Sequence, residues 1–478
     1  MKQFILVLVL IPVISAGAPA IAQVKKAATI ETLRYEGFGA VRIYRQVPHP
    51  GNVVLFVSGR PGWTGQVIEM ATELSTLDSL VAGIDANQFL GEMSAGGEKC
   101  SYYSYSFEDL SHYIQQKLGF PRYISPILIG FGEGAAVAYS ALVQSHTGVF
   151  RGAISPAFCP NLSLPAAPCS GNGLQWNKTS PGRRTGWTEY LFSPAQNLAT
   201  PWIVLEDLEA PACSPTVISD FVRRTSGARL VNVPAQSGRG TPRQTDWLPR
   251  LKQEYASLVR TLEERSSAPD APEVKDLPLE EVRGATGQSD ELAIIVSGDG
   301  GWAGIDRDLA QMLAGAGVSV VGINSLQYFW TRRTPESAAA DLSRILRHYL
   351  AAWNKRKAIL AGYSMGADVL SFMAARLPED LQAKVALIVL IGPSVTVDFE
   401  FHFTEWFGGI SRKTDLPVVP EIEKLKGKRI ICVYGLEEGD NICTALKAGI
   451  VQPVALKGGH HFGGEYKPIA DLILKESR

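Results

Sequence analysis

The sequence predicts two tandem α/β domains with mainly parallel sheets, and three observations lead there. Apolar strand-like runs alternate with helix-like stretches along the chain, the pattern of βαβ units. Two long stretches read as copies of one unit. Residues 264–289, with charge, Ser, Pro and Gly but little periodic apolar pattern, separate them as a linker, and Leu277 to Val282 within it also reads as an edge strand of the second domain.

The chain opens with Lys2, an apolar run from Phe4 to Ile14, and small residues ending in Ala20-Ile21-Ala22. This three-part order is that of a secretory signal peptide, residues 1–22, with cleavage expected after Ala22. The run is short for a bilayer span and no cysteine follows to take a lipid, so the expectation is an exported mature chain without a transmembrane segment. With 46 basic and 47 acidic residues, formal net charge −1, the composition argues against a nucleic-acid partner. Six cysteines permit disulfides in an oxidising compartment, Cys159 with Cys169 and Cys432 with Cys443 being the local options. No CxxC occurs, and neither a metal site nor a cofactor is expected.

The first copy, within 23–263, starts with the strand Asn52 to Val57 and then Ser58-Gly59-Arg60-Pro61-Gly62-Trp63. The second, within 290–478, starts with Leu292 to Val296 and then Ser297-Gly298-Asp299-Gly300-Gly301-Trp302. A helix-like stretch, another strand and a longer amphipathic helix follow in each. In the second copy that helix has Thr334 as cap and Pro335 at its first position. Each copy then reaches a glycine-rich turn, Gly130-Phe131-Gly132-Glu133-Gly134 or Gly362-Tyr363-Ser364-Met365-Gly366, 74 residues after Ser58 and 67 after Ser297.

The second turn is G-x-S-x-G between an apolar strand and a helix-like stretch, the setting that presents a serine nucleophile at a helix N-terminus. Ser364 is the expected nucleophile of an α/β-hydrolase-like domain, which requires an acid and then a histidine further along the chain. His460 and His461, after the strand-like Val451 to Leu456, are equal candidates for the base. The acid is expected in Gly435-Leu436-Glu437-Glu438-Gly439-Asp440-Asn441, with Asp440 preferred and Glu437 or Glu438 as alternatives. The oxyanion hole is expected from the Met365 N–H together with that of Asp299 or Gly300. Trp302, Glu437 and Glu438 are expected on the substrate side. Phe399, Phe401 and Phe403 alternate, with Trp406 and Phe407 following, as either an apolar wall meeting lipid chains or one buried strand face; His402 reads as a bystander.

Aligning the copies sets Gly132 against Ser364, and Ala235-Gln236-Ser237-Gly238 against Gly458 to His461, leaving no histidine. The first domain is therefore read as catalytically degenerate, with a structural or binding role.

The export signal, the degenerate first domain and the motifs Ser-Gly-Asp-Gly-Gly-Trp, Gly-Tyr-Ser-Met-Gly and Gly-Gly-His-His-Phe together resemble the VirJ/AcvB family of bacterial periplasmic virulence-associated proteins, and most closely its two-domain AcvB type. The resemblance implies a periplasmic serine esterase acting on the aminoacylated lipid lysyl-phosphatidylglycerol, with type IV secretion components as possible partners, Ser364 as the family serine and His460-His461 as its base region. An aminoacyl ester needs only acyl transfer to serine and then to water, without a metal. The cationic lysyl group would favour the carboxylates of Glu437, Glu438 and Asp299 nearby. A general esterase or thioesterase, or a binding protein for secretion machinery, are the other classes compatible with these residues.

Overall fold

The computed structural model describes residues 29–477 apart from 94–99, 182–185, 199, 208, 210, 235–244, 267–272, 285–288, 303, 402–414, 440 and 448. The expected signal peptide, Asp440, His402, Phe403, Trp406, Phe407 and Ala235 to Gly238 thus lie outside the described residues.

The first domain holds β1 (Thr29–Tyr35), β2 (Gly39–Arg45), β3 (Asn52–Val57), β4 (Ser79–Ile84), β5 (Ile127–Gly130), β6 (Gly152–Pro156), β7 (Asn161–Leu164), β8 (Trp176–Pro181), β9 (Thr188–Phe192), β10 (Trp202–Glu206) and β11 (Ala228–Asn232). Its main sheet has the order β1-β2-β4-β3-β5-β6-β10-β11, while β7-β9-β8 form a separate antiparallel sheet. Only the β1–β2 and β2–β4 pairings of the main sheet are antiparallel. The second domain holds β12 (Leu279–Val282), β13 (Glu291–Val296), β14 (Ser319–Ile323), β15 (Lys357–Tyr363), β16 (Val385–Ile391), β17 (Thr396–Val397), β18 (Leu416–Pro417), β19 (Ile430–Gly435) and β20 (Gln452–Leu456). Its sheet order, β12-β14-β13-β15-β16-β19-β20, repeats that of the first domain from its second strand onward. Stepping outward from β3 and β13 in both directions is the strand order of the α/β-hydrolase fold, here present twice.

Burial explains why the strands read as continuous apolar runs. Every residue of β3 and of β13 is buried, as a parallel sheet covered by helices on both faces requires. Each sheet accordingly has a core cluster on either side. β12 pairs antiparallel with β14, so the Leu277 to Val282 stretch belongs to the second domain's sheet.

The duplication extends to close packing. A Cβ at Gly83 would fall 2.2 Å from the Trp63 ring, and one at Gly322 would fall 2.4 Å from the Trp302 ring. Ala86 N–H donates to Ser58 Oγ at 3.1 Å, and Ser325 N–H donates to Ser297 Oγ at 2.9 Å. Only glycine leaves room for the indole over the neighbouring strand, which is why both tryptophans lie against glycine.

The domains meet through an aromatic cluster. Tyr123 from the first packs with Leu326, Trp330 and Phe401 of the second. Trp330 Nε1–H donates to Phe120 O at 2.7 Å, and Gln116 Nε2–H donates to Phe401 O at 2.9 Å. Phe399 sits in the second domain's core beside Phe329 and Phe372. Both described members of the alternating aromatic run are therefore buried, one in a core and one between domains, and neither is free to meet lipid.

The disulfides are Cys100–Cys169, Cys159–Cys213 and Cys432–Cys443. Cys432–Cys443 is one of the two local options that the sequence offers. Cys159 takes Cys213 rather than Cys169, because strands far apart in sequence bring the loops after β6 and β10 side by side.

Candidate active site

The turn after β15 is forced by two close approaches. A Cβ at Gly362 would lie 2.4 Å from Gly366 O, and one at Gly366 would lie 2.1 Å from Val296 O. Between them Ser364 adopts φ 53°, ψ −126°, a left-handed conformation that a non-glycine residue occupies at a cost. The serine stands at the N-terminus of the helix Met365–Ala375, with its own N–H donated to Ile391 O at 2.8 Å. This strained strand-turn-helix is the nucleophile elbow expected of G-x-S-x-G.

The residue after Ile391 is Gly392, at φ +59°. A Cβ there would come within 2.8 Å of His460 Cε1 and 3.5 Å of Glu438 Oε1. The imidazole of His460 is thus delivered beside the strand end that anchors Ser364. Its Nδ1 lies 2.5 Å from Glu438 Oε1, while Glu438 Oε2 accepts the Gly435 N–H at 2.6 Å. The carboxylate is fixed at both oxygens and orients the ring. His461 takes a different partner: its Nδ1 lies 2.8 Å from Tyr363 Oη. Of the two histidines, His460 is the one held by an acid.

Glu438 had been expected on the substrate side and as an alternative acid. The structure places it against His460, Glu437 on the exposed surface of the same loop, and Asp440 outside the described residues. The Cys432–Cys443 bridge closes this loop across its base.

Met365 occupies the first position of its helix, where a backbone N–H has no intrahelical acceptor and is available to an oxyanion. In the glycine loop, Asp299 Oδ1 accepts the Gly300 N–H at 3.0 Å. The Gly300 N–H is thus engaged within the loop itself. Trp302, expected near substrate, has its ring buried against Gly322, because the loop turns it under the strand.

No sequence motif singles out Asp368. It is buried one turn into the helix after Ser364, and its Oδ1 accepts the Ser394 N–H at 2.7 Å, tying down the loop after β16. Burial holds its carboxyl well above the usual range. Its spacing of four residues from Ser364 was the only available signal.

The first domain repeats the backbone of this turn with glycine in place of the serine. Gly132 adopts φ 58°, ψ −121°, matching Ser364. Ala157, at φ +55°, stands where Gly392 stands, so a methyl group occupies the space that an imidazole fills in the second domain. Arg60, the counterpart of Asp299, donates its N–H to Glu133 Oε2 at 2.9 Å, and its guanidinium also pairs with Glu133. A carboxylate therefore covers the backbone donor that would face an oxyanion.

Among the described residues no group of three or more His, Cys, Asp or Glu side chains is placed to hold a metal ion, and no helix is long and apolar enough to cross a membrane.

Residues 290–478 match the family model of VirJ, a bacterial virulence protein. The match covers the second domain, where the three motifs of Ser297 to Trp302, Gly362 to Gly366 and Gly458 to Phe462 lie. Among solved structures, Est1E from Butyrivibrio proteoclasticus is similar, with 12% identity, TM-score 0.31, and coverage of 41% of this chain and 92% of its own. An alpha-beta serine hydrolase homologue from Coxiella burnetii is 18% identical, with TM-score 0.30 and coverage of 41% and 89%. A thioesterase domain from the curacin biosynthetic pathway is 16% identical, with TM-score 0.29 and coverage of 41% and 99%. No curated protein matches the chain.

Proposed function

We propose that this protein is a periplasmic serine hydrolase that cleaves the aminoacyl ester of lysyl-phosphatidylglycerol, with Ser364, His460 and Glu438 as its catalytic groups. The observation that carries the reading is His460, clamped by Glu438 and set against Gly392, next to the strand end that anchors Ser364.

Ser364 Oγ attacks the ester carbonyl carbon while His460 takes its proton. Glu438 keeps the ring in the tautomer that accepts at Nε2 and stabilises the imidazolium that forms. The Met365 and Asp299 N–H groups receive the developing oxyanion. Collapse breaks the ester C–O bond, and the phosphatidylglycerol hydroxyl leaves with the proton from His460. Water, activated by the same histidine, then attacks lysyl-Ser364, releases lysine and restores the serine.

The substrate class is supported by charge. Glu108, on the first-domain helix Tyr103–Lys117, is pushed up to about 8 by burial, then by Asp109 and by Asp299 across the domain boundary. Asp299 itself lies on the loop whose Gly298 packs against Ser364, and is the carboxylate that a cationic lysyl group would approach. The resemblance to the VirJ/AcvB family supports the same substrate.

The test uses the purified full-length mature chain and its Ser364→Ala variant on vesicles containing lysyl-phosphatidylglycerol, following free lysine. Release by the parent and none by the variant supports both nucleophile and substrate. Cleavage of simple esters alone would replace the substrate by that of a general esterase or thioesterase. Inactivity on both would favour a binding role beside the secretion machinery.

A further inference from the structure

The elbow of the first domain has lost its catalytic groups without being filled in. A cavity of about 650 Å³ opens over Gly132 and Ala157, the counterparts of Ser364 and Gly392. Its walls are largely apolar, and the Cys159–Cys213 disulfide joins two of its bordering segments, so the pocket is held open before any ligand arrives.

Its charge is read from the side chains that reach it. Two groups would draw an anion: the N-terminus of the helix Glu133–Gln144 and the Arg60 guanidinium. Both face Glu133, which lies in the first turn of that helix and accepts from the Arg60 N–H and side chain. That charge is closed on itself. Among the described residues the remaining charged side chain at the cavity is Glu189, whose Oε1 accepts from a neutral amide donor, Asn161 Nδ2–H at 2.5 Å. Two residues before it, and therefore on the same side of the extended chain, Trp187 contributes an aromatic wall. A carboxylate beside an indole, in a pocket whose Arg60 and Glu133 charges pair with each other, is the chemistry that recognises an organic ammonium, through charge-assisted hydrogen bonds and attraction to the ring.

We propose that this cavity is a binding site for a small primary amine carried on an apolar body, with Glu189 holding the ammonium and Trp187 flanking the chain. The site lies in the domain without the nucleophile and does not depend on what the second domain hydrolyses. The first domain is then a ligand-binding module built on a hydrolase frame.

Hexylamine, hexanol and hexanoate are the probes, titrated by calorimetry into the full-length mature chain carrying Ser364→Ala. Hexylamine is expected to bind at one site and more tightly than the other two by roughly tenfold or more, the scale of a charge-assisted contact. Adding Glu189→Gln, which keeps an acceptor for Asn161, is expected to abolish that preference while the melting temperature stays unchanged. Adding Trp187→Ala is expected to weaken all three probes. Adding Glu437→Gln, on the second domain's loop, is expected to change nothing. The proposal is overturned if hexanoate binds as well as hexylamine, if no probe binds, if the preference survives Glu189→Gln, or if Glu437→Gln removes it.

Discussion

His460 Nδ1 and Glu438 Oε1 stand 2.5 Å apart, joining the loops that follow the last two strands of the second sheet. This contact is the ground for preferring His460 to His461 and Glu438 to Glu437 in the proposed site, and it yields the first prediction. Glu438→Gln keeps the shape but removes the charge, and is expected to lower kcat by about 10²- to 10⁴-fold, as loss of the orienting acid does in serine hydrolases. Asp440→Asn is expected to leave kcat within a few fold. Steady-state hydrolysis of an activated ester by both variants checks this, and the opposite order would move the acid to Asp440.

Gly392 is the space in which the imidazole rests. A Cβ there would lie 2.8 Å from His460 Cε1 and 3.0 Å from Nδ1, in a backbone conformation that already disfavours a side chain. Gly392→Ala is expected to displace the ring and lower kcat by about tenfold or more, with destabilisation of about 1–2 kcal/mol from the left-handed backbone. The natural alanine at 157 indicates that the fold tolerates the methyl. Kinetics together with urea unfolding separate the two effects.

The Cys432–Cys443 bridge closes an 11-residue interval that contains Glu438. Replacing both cysteines with alanine is expected to cost about 3 kcal/mol through the loop-closure entropy returned to the unfolded chain. It is also expected to lower kcat more than KM changes, because Glu438 loses its fixed position. An unchanged kcat in the folded variant would mean that the bonds from the Glu437 N–H to Gly458 O and from the Glu438 N–H to Gly435 O, each 3.0 Å, hold the loop without the bridge.

His112, buried in the domain interface beside Tyr123, Trp330 and Phe401, is lowered by burial to about 3. The unfolded chain takes up this proton near the usual value of 6.5, whereas the folded chain refuses it until about pH 3. Stability is therefore complete above the unfolded value. It falls as pH drops from about 6.5 toward 3, at up to about 1.4 kcal/mol per pH unit for one proton. Denaturation midpoints from pH 7 to 4 are expected to fall less steeply in His112→Gln, and parallel slopes would assign the acid sensitivity elsewhere.

The tandem fold was legible because fully buried parallel strands leave unmistakable apolar runs, and because Gly130, Gly134, Gly362 and Gly366 answer to close approaches that no other residue permits. The same logic placed the turn around Ser364. What sequence could not rank was set by direction rather than position. Glu437, Glu438 and Asp440 share one loop in the sequence, and among the described residues it is Glu438, turned by the bond from the Gly435 N–H to its Oε2, that meets a histidine. Trp302 looked like a site residue because it follows the glycine loop, yet its ring is drawn under the strand by the vacancy at Gly322. The pairing of Cys159 with Cys213 depended on the adjacency of β6 and β10, which no local spacing records.

The measurement closest to the central claim is covalent trapping. The full-length mature chain would be treated with a fluorophosphonate, digested and mapped by mass spectrometry. One adduct is expected on Ser364 of the peptide containing Gly362 to Gly366, slowed in Glu438→Gln and absent in Ser364→Ala. An adduct elsewhere, or labelling that persists in Ser364→Ala, would contradict the assignment of Ser364 as the nucleophile.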